Sequence, residues 1–190
     1  MGYAGGLSSR AAYAVSTADE LPAGQRDWFE RVVAPYYTAY ARWLETVHVG
    51  MTGGELFALV DRLLPRAEFG WSLCPGHLVA DEEWLCSPVY EGSRERIASG
   101  MLFQIDIIPA VPGYAGVSAE STVAVADAAL QREIEMWYPT LWSRIQARRA
   151  YIEGTLGIRL SGEVLPMCST VGYLRPYLLN HRKACYVVRT

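Results

Sequence analysis

"GMLFQIDIIPAVPGYAGVSAESTVAVAD", residues 100–127, decides what kind of sheet this chain builds. Residues 100–108 are rich in aliphatics with a period of two and stop at Pro109, which reads as a strand. Pro112-Gly113 centres a turn, and "VSAESTVAVA", 117–126, reads as a second strand, so the pair should close into a hairpin. Asp106 sits inside the first strand between Ile105 and Ile107. An ionised carboxylate there is expensive unless it is paired, hydrogen-bonded or bound to a cation. Glu120, between Ala119 and Ser121, lies at a distance from the turn that lets it approach Asp106 across the hairpin. Two facing carboxylates repel, and a divalent cation relieves them. An arginine or a hydrogen-bonded turn would satisfy Asp106 equally well, and from spacing alone both readings stand.

Upstream, "SLCPGHLVADEEWLCSPVYEGS", residues 72–93, sets His77 beside a Pro-Gly turn and an acidic group. A neutral imidazole from this loop would complete a mixed nitrogen and oxygen site suited to zinc, manganese, cobalt or iron. Asp81 and Glu82 read as solvated carboxylates of a loop packed by Trp84, and His48 and His181 as surface or helix-end residues. The cysteines at 74, 86, 168 and 185 have the spacing of no zinc motif and are expected reduced and mostly buried.

Helices flank this core. Trp28, Val32, Tyr36, Tyr40, Trp43 and Val47 recur at helical spacing over 24–47, with Pro35 expected to kink or split the helix. Thr52 and Glu55 have the spacing of a capping box ahead of a helix whose face carries Leu56, Val60 and Leu63. Asp127 is placed to cap "AALQREIEMWY", and Pro139 to open "PTLWSRIQARRAYIEGTL", whose "RIQARR" side should be solvated. Residues 1–15 read as a strand or strand and turn, "LSGEVLP" as a Gly/Pro-punctuated stretch, and "CYVV" as an edge strand. Helix pair, strands, helices, strands is an α+β order.

The chain has 190 residues, 51% of them hydrophobic and 19% charged, which fits one domain with a sizeable core and no disorder bias. A net charge of −3 makes no electrostatic case for nucleic acid or an anionic membrane. No apolar run reaches about 18 residues, so no membrane-crossing helix is expected. No signal-peptide pattern stands at the N-terminus, and Gly2 lacks the basic flank of an acylated anchor, so a cytoplasmic location is expected.

Taken in order, "HVGMTGGELFALVDRLLP", "PGHL", "IASGMLFQIDIIP" and "AGVSAESTVAVAD", roughly residues 47–127, resemble the motifs of the pita-bread metallopeptidase superfamily. That superfamily includes methionine and Xaa-Pro aminopeptidases, prolidases and creatinases, and the "PGH" and "EWLCSP" segments look most like the Xaa-Pro aminopeptidase branch. The resemblance implies a curved antiparallel sheet with flanking helices, N-terminally truncated, in which residues 1–190 form one metallopeptidase-like domain lacking the N-terminal half of the fold. It implies metal-binding roles for His77, Asp106 and Glu120, with Asp106 also the candidate general base, and a divalent Mn, Co or Zn cofactor. In such enzymes two ions polarise the scissile carbonyl and hold the attacking hydroxide. The segment "GYAGGLSSR" carries Gly5 and Gly6 where that family has a further metal-binding aspartate, and Trp84 stands where it has a second histidine. One weakly held ion and slow or absent turnover are therefore expected.

The implied function is a metal-dependent aminopeptidase-type hydrolase acting on a peptide substrate. The alternatives are a non-catalytic homologue that binds a peptide or protein partner, and a creatinase-like amidinohydrolase acting on a small molecule. The tail from 128 to 190 is expected to cover the cleft or to form the face of a homodimer. The six tryptophans and twelve tyrosines favour burial in a core or interface.

Overall fold

The structure, a computed structural model, describes residues 13–72, 74–79 and 86–188. Gly5, Gly6, Asp81, Glu82, Glu83, Trp84 and most of the expected opening strand lie outside the described residues. Within them the chain is a mixture of helix and antiparallel sheet. Two short 3-10 turns, Ala18–Glu20 and Ala23–Gln25, lead into a π-helical turn, Phe29–Val33, and then α1, Ala34–Thr46. Pro35 explains the change of register. It has no amide to donate four residues back, and the turn before it adopts five-residue spacing, with the Ala34 amide bonded to the Phe29 carbonyl. The proline then falls in the first turn of α1, where a missing donor costs nothing. Trp28, Val32, Tyr36, Tyr40, Trp43 and Val47 are all fully buried, as their spacing predicts.

α2, Gly53–Leu63, opens on the expected capping box: the Thr52 hydroxyl accepts from the Glu55 amide, and the Glu55 carboxylate accepts from the Thr52 amide. A one-turn helix, α3, Arg66–Phe69, follows. The sheet has strand order β1-β2-β3-β4, with β1 His77–Leu78, β2 Leu102–Gln104, β3 Thr122–Val125 and β4 Val164–Pro166, all antiparallel. The hairpin is present, but its regular strands are much shorter than the expected 100–108 and 117–126. Beyond Gln104 the chain stays paired for at least one more step, the Ile105 amide bonding to the Ser121 carbonyl at 3.0 Å.

One sheet face, carrying Phe103, Ile105, Val123 and Val125, packs into the main core with α1 and α2. The other is covered at its β3–β4 end by α4, Ala128–Trp137, and α5, Pro139–Gly154, through Ala124, Leu165, Ile145, Leu130 and Ile134. Asp127 caps α4, its side chain accepting from the Leu130 amide, and Pro139 begins α5, as expected.

Two expectations about the tail are corrected. "CYVV" forms no strand. The Cys185 and Val187 amides bond singly to the Leu174 and Leu156 carbonyls, whereas "EVLP" does supply a strand, the fourth of the sheet. The "RIQARR" side is not simply solvated. Arg148 donates to the Pro166 and Met167 carbonyls, and Arg149 to those of Ser161 and Val164, so both guanidinium groups tie α5 to the backbone around β4. The four cysteines are free, but only Cys185 is buried; Cys74, Cys86 and Cys168 are half-buried.

Candidate metal centre

α1 positions both flanks of the site from one helical face. The Trp43 indole donates to the Pro75 carbonyl at 2.8 Å, and its ring lies against Gly76, where an added Cβ would meet it at 3.3 Å. Gly76 has φ of 130°, a conformation that favours glycine, so the backbone both bends there and comes close to the indole. That docking delivers His77. Two turns earlier on the same face, the Tyr36 hydroxyl accepts from the Ala119 amide at 2.6 Å and fixes the segment that carries Glu120. Burial pushes the Tyr36 phenol far above its ordinary range, so it stays neutral while it holds this bond.

His77 belongs to a strand rather than to the expected loop. It lies opposite Gln104, with Leu78 opposite Phe103. The β2–β3 register pairs Leu102 with Ala124, Phe103 with Val123 and Gln104 with Thr122. Continued past Ile105, it sets Asp106 opposite Glu120. Because opposite residues share a face and faces alternate along a strand, His77, Gln104, Asp106, Glu120 and Thr122 come to one side of the sheet.

The three expected residues are brought together. His77 and Asp106 are fully buried, Glu120 is half-buried, and one ligand atom from each lies within 4.8 Å of the others. Ligands bonded at about 2.0–2.2 Å to one ion stand at most about 4.4 Å apart, so a small contraction would close the group on a cation. Nδ1 of His77 lies 3.1 Å from the Leu78 carbonyl. A carbonyl only accepts, so Nδ1 carries the hydrogen and a neutral ring leaves its lone pair on Nε2. Nε2 is buried, has no hydrogen-bond partner among the described residues, and faces Asp106 Oδ2 at 3.7 Å. A lone pair directed at a carboxylate is repulsive unless a proton or a metal ion stands between them. The backbone bond at Nδ1 is also what orients metal-ligating histidines. The chemistry of this donor set therefore fits a divalent cation.

His48 and His181 are exposed and take no part, as expected. No second group of three or more His, Cys, Asp or Glu side chains converges in this way among the described residues. Sequence reasoning passed over Trp43 and Tyr36 as site-positioning residues, and Gln104 altogether. The period-two spacing of Gln104 from Asp106 was the available signal.

No protein-family profile matches the sequence, and no curated protein does. Among solved structures, a dipeptidase from Pyrococcus horikoshii OT3 aligns with a TM-score of 0.42 and 17% identity, over 52% of this chain and 28% of its own. The prolidase from the same organism aligns with a TM-score of 0.42 and 20% identity, over 55% of this chain and 30% of its own. The alignments thus span less than a third of either structure.

Proposed function

We propose that this chain binds one divalent first-row cation, Mn, Co or Zn, through His77, Asp106 and Glu120, and that the site serves a hydrolase of the aminopeptidase type. The observation that carries the reading is the His77 ring. Its Nδ1–H is committed to the Leu78 carbonyl, and its buried Nε2 is turned on the Asp106 carboxylate. A bound ion would supply Lewis acidity at a scissile carbonyl and acidify a water. The chain's own residues do the rest. His77 and Asp106, fully buried, hold their donor atoms in place, and Asp106 is the candidate acceptor for the proton of the attacking water.

In this reading the site belongs to a pita-bread domain of the Xaa-Pro aminopeptidase branch. The substrate is a peptide with a free N-terminus, favoured when its second residue is proline, and the protein works in the cytoplasm. The motifs of residues 47–127 support this assignment. The test has two parts. Calorimetry with Mn, Co and Zn should find one equivalent bound, and a finding of none, or of two, would overturn the single-ion site. An assay on Xaa-Pro and Met-initiated peptides with added Mn or Co should then find slow turnover that Asp106→Ala removes. Turnover unaffected by Asp106→Ala would overturn the hydrolytic role.

A second reading, a binding protein without turnover, is favoured by one feature. Met136, Trp137 and Tyr138, at the junction of α4 and α5, are 69%, 71% and 63% exposed, an apolar group suited to another protein surface or to a second copy in a homodimer. Metal uptake with no hydrolysis of any peptide in the panel would favour it.

A further inference from the structure

Gln104 shares the sheet face of His77, Asp106 and Glu120, and the metal reading leaves it without a role. It lies opposite His77 on one side and Thr122 on the other. Its Nε2 donates to Glu120 Oε1 at 3.0 Å. Its Oε1 is buried and has no hydrogen-bond partner among the described residues. This is a poor choice for stability. A strand flanked on both sides suits a β-branched or aromatic residue, and a buried acceptor without a donor costs free energy that an apolar side chain of similar volume would avoid.

The choice makes sense at a cation site. Lysine or arginine here would neutralise Glu120 and compete with the ion, and a carboxylate here would repel that of Glu120. A carboxamide reaches Glu120 with a donor that carries no charge. It occupies one carboxylate oxygen and restrains the rotamer of the most exposed of the three ligands. We infer that Gln104 is the positioning residue of this site, holding Glu120 by Oε1 so that Oε2 is presented to the ion as a one-oxygen ligand. One carboxylate oxygen from each acid and one imidazole nitrogen suit the low coordination number of Zn or Co, and suit Ca poorly, since Ca takes six to eight oxygens and often both from one carboxylate. The inference rests on the metal reading above.

The test compares the wild-type chain with Gln104→Met, which keeps the stem and removes both polar ends. Each is titrated calorimetrically with Zn and with Co, the visible spectrum of the Co-loaded chain is recorded, and the metal-free chain is melted. The variant should bind Zn about 10–100-fold more weakly. Its Co spectrum should change, because the restraint that the Gln104 amide places on Glu120 Oε1 is then lost. The metal-free melting temperature should hold or rise. An unchanged affinity and spectrum would overturn the inference, and a large fall in melting temperature with unchanged affinity would mark Gln104 as purely structural. Should Gln104→Met fail to fold, Gln104→Asn, a methylene too short to hold Glu120, should show the same loss of affinity, and wild-type affinity there would equally overturn the inference. A wild-type chain that takes up neither metal would sink the metal reading itself, and the inference with it.

Discussion

The indole of Trp43 donates to the Pro75 carbonyl, and its ring closes over Gly76, one residue before His77. Gly76→Ala is expected to disturb both backbone and packing, since φ is 130° and the new Cβ would press the indole at 3.3 Å. A cost of about 1–3 kcal/mol follows, or a melting temperature lower by about 2–12 °C at this chain length. Metal affinity should fall with it because His77 is displaced. Wild-type affinity in Gly76→Ala would show that the turn does not place the ligand.

Ligand removal gives a second check. With Zn at a hundredfold excess over its dissociation constant, the native state should gain about 2.7 kcal/mol, raising the melting temperature by about 5–10 °C. A chelator should reverse that gain, and Asp106→Asn should abolish most of it. A chelator-insensitive melting temperature would count against metal binding in the native state.

Alkaline pH should unfold the chain through α1. Tyr36, Tyr37 and Tyr40 are buried there, and burial raises all three phenols, Tyr40 to about 12. In the unfolded chain they ionise near pH 10. Their contribution is therefore fully present below pH 10 and is lost as pH rises from there through the folded values. Near-ultraviolet phenolate absorbance should show these three titrating together with loss of helix. Ionisation near pH 10 with the helix intact would contradict the burial.

Tyr36→Phe should expose a different weakness. It removes the acceptor that the Ala119 amide uses at 2.6 Å and leaves a buried N–H unmet. About 1–3 kcal/mol of stability should go. Chemical denaturation measures that loss.

Arg149→Ala should loosen α5 from β4. The guanidinium satisfies the Ser161 and Val164 carbonyls, and charged hydrogen bonds of this kind contribute about 1.5–3 kcal/mol each. Arg149→Lys should recover only part of the loss, because an ammonium lacks the planar fork. A variant as stable as wild type would restore the solvated reading of that helix side.

Much of this was legible in the residues. Asp106 between two isoleucines and Glu120 across a Pro-Gly turn were enough to place two carboxylates on facing arms of a hairpin, just beyond its regular strands, because strand alternation and hairpin register are short-range rules. The Thr52–Glu55 box, the Asp127 cap and the Pro139 start were equally local. What escaped depended on distant parts of the chain. Nothing in "RIQARR" says that two carbonyl-rich corners near β4 await its arginines. Nothing in "PGH" says that Trp43, more than thirty residues earlier, holds the turn. "CYVV" is apolar enough for a strand, yet its amides find partners in two separate loops, and composition does not reveal that. Pro35 marks a disturbance of the helix in the sequence, but nothing local says that it takes the form of a π turn over Phe29–Val33.

β1 has two residues and sits at the edge of the sheet, held by the Leu78 amide on the Cys86 carbonyl and the Val79 amide on that of Leu102. Short edge segments open locally at far less free energy than whole-molecule unfolding requires. The histidine therefore rides on a short edge segment, while Asp106 follows β2, which is paired on both sides. A cation joining the two would act as a clasp between the sheet edge and the strand beside it. The amides of Leu78 and Val79 would then slow their exchange with solvent deuterium in proportion to ion concentration, and those of Phe103 and Val123 would hardly respond. Exchange at this edge becomes a gauge of occupancy that requires no knowledge of substrate.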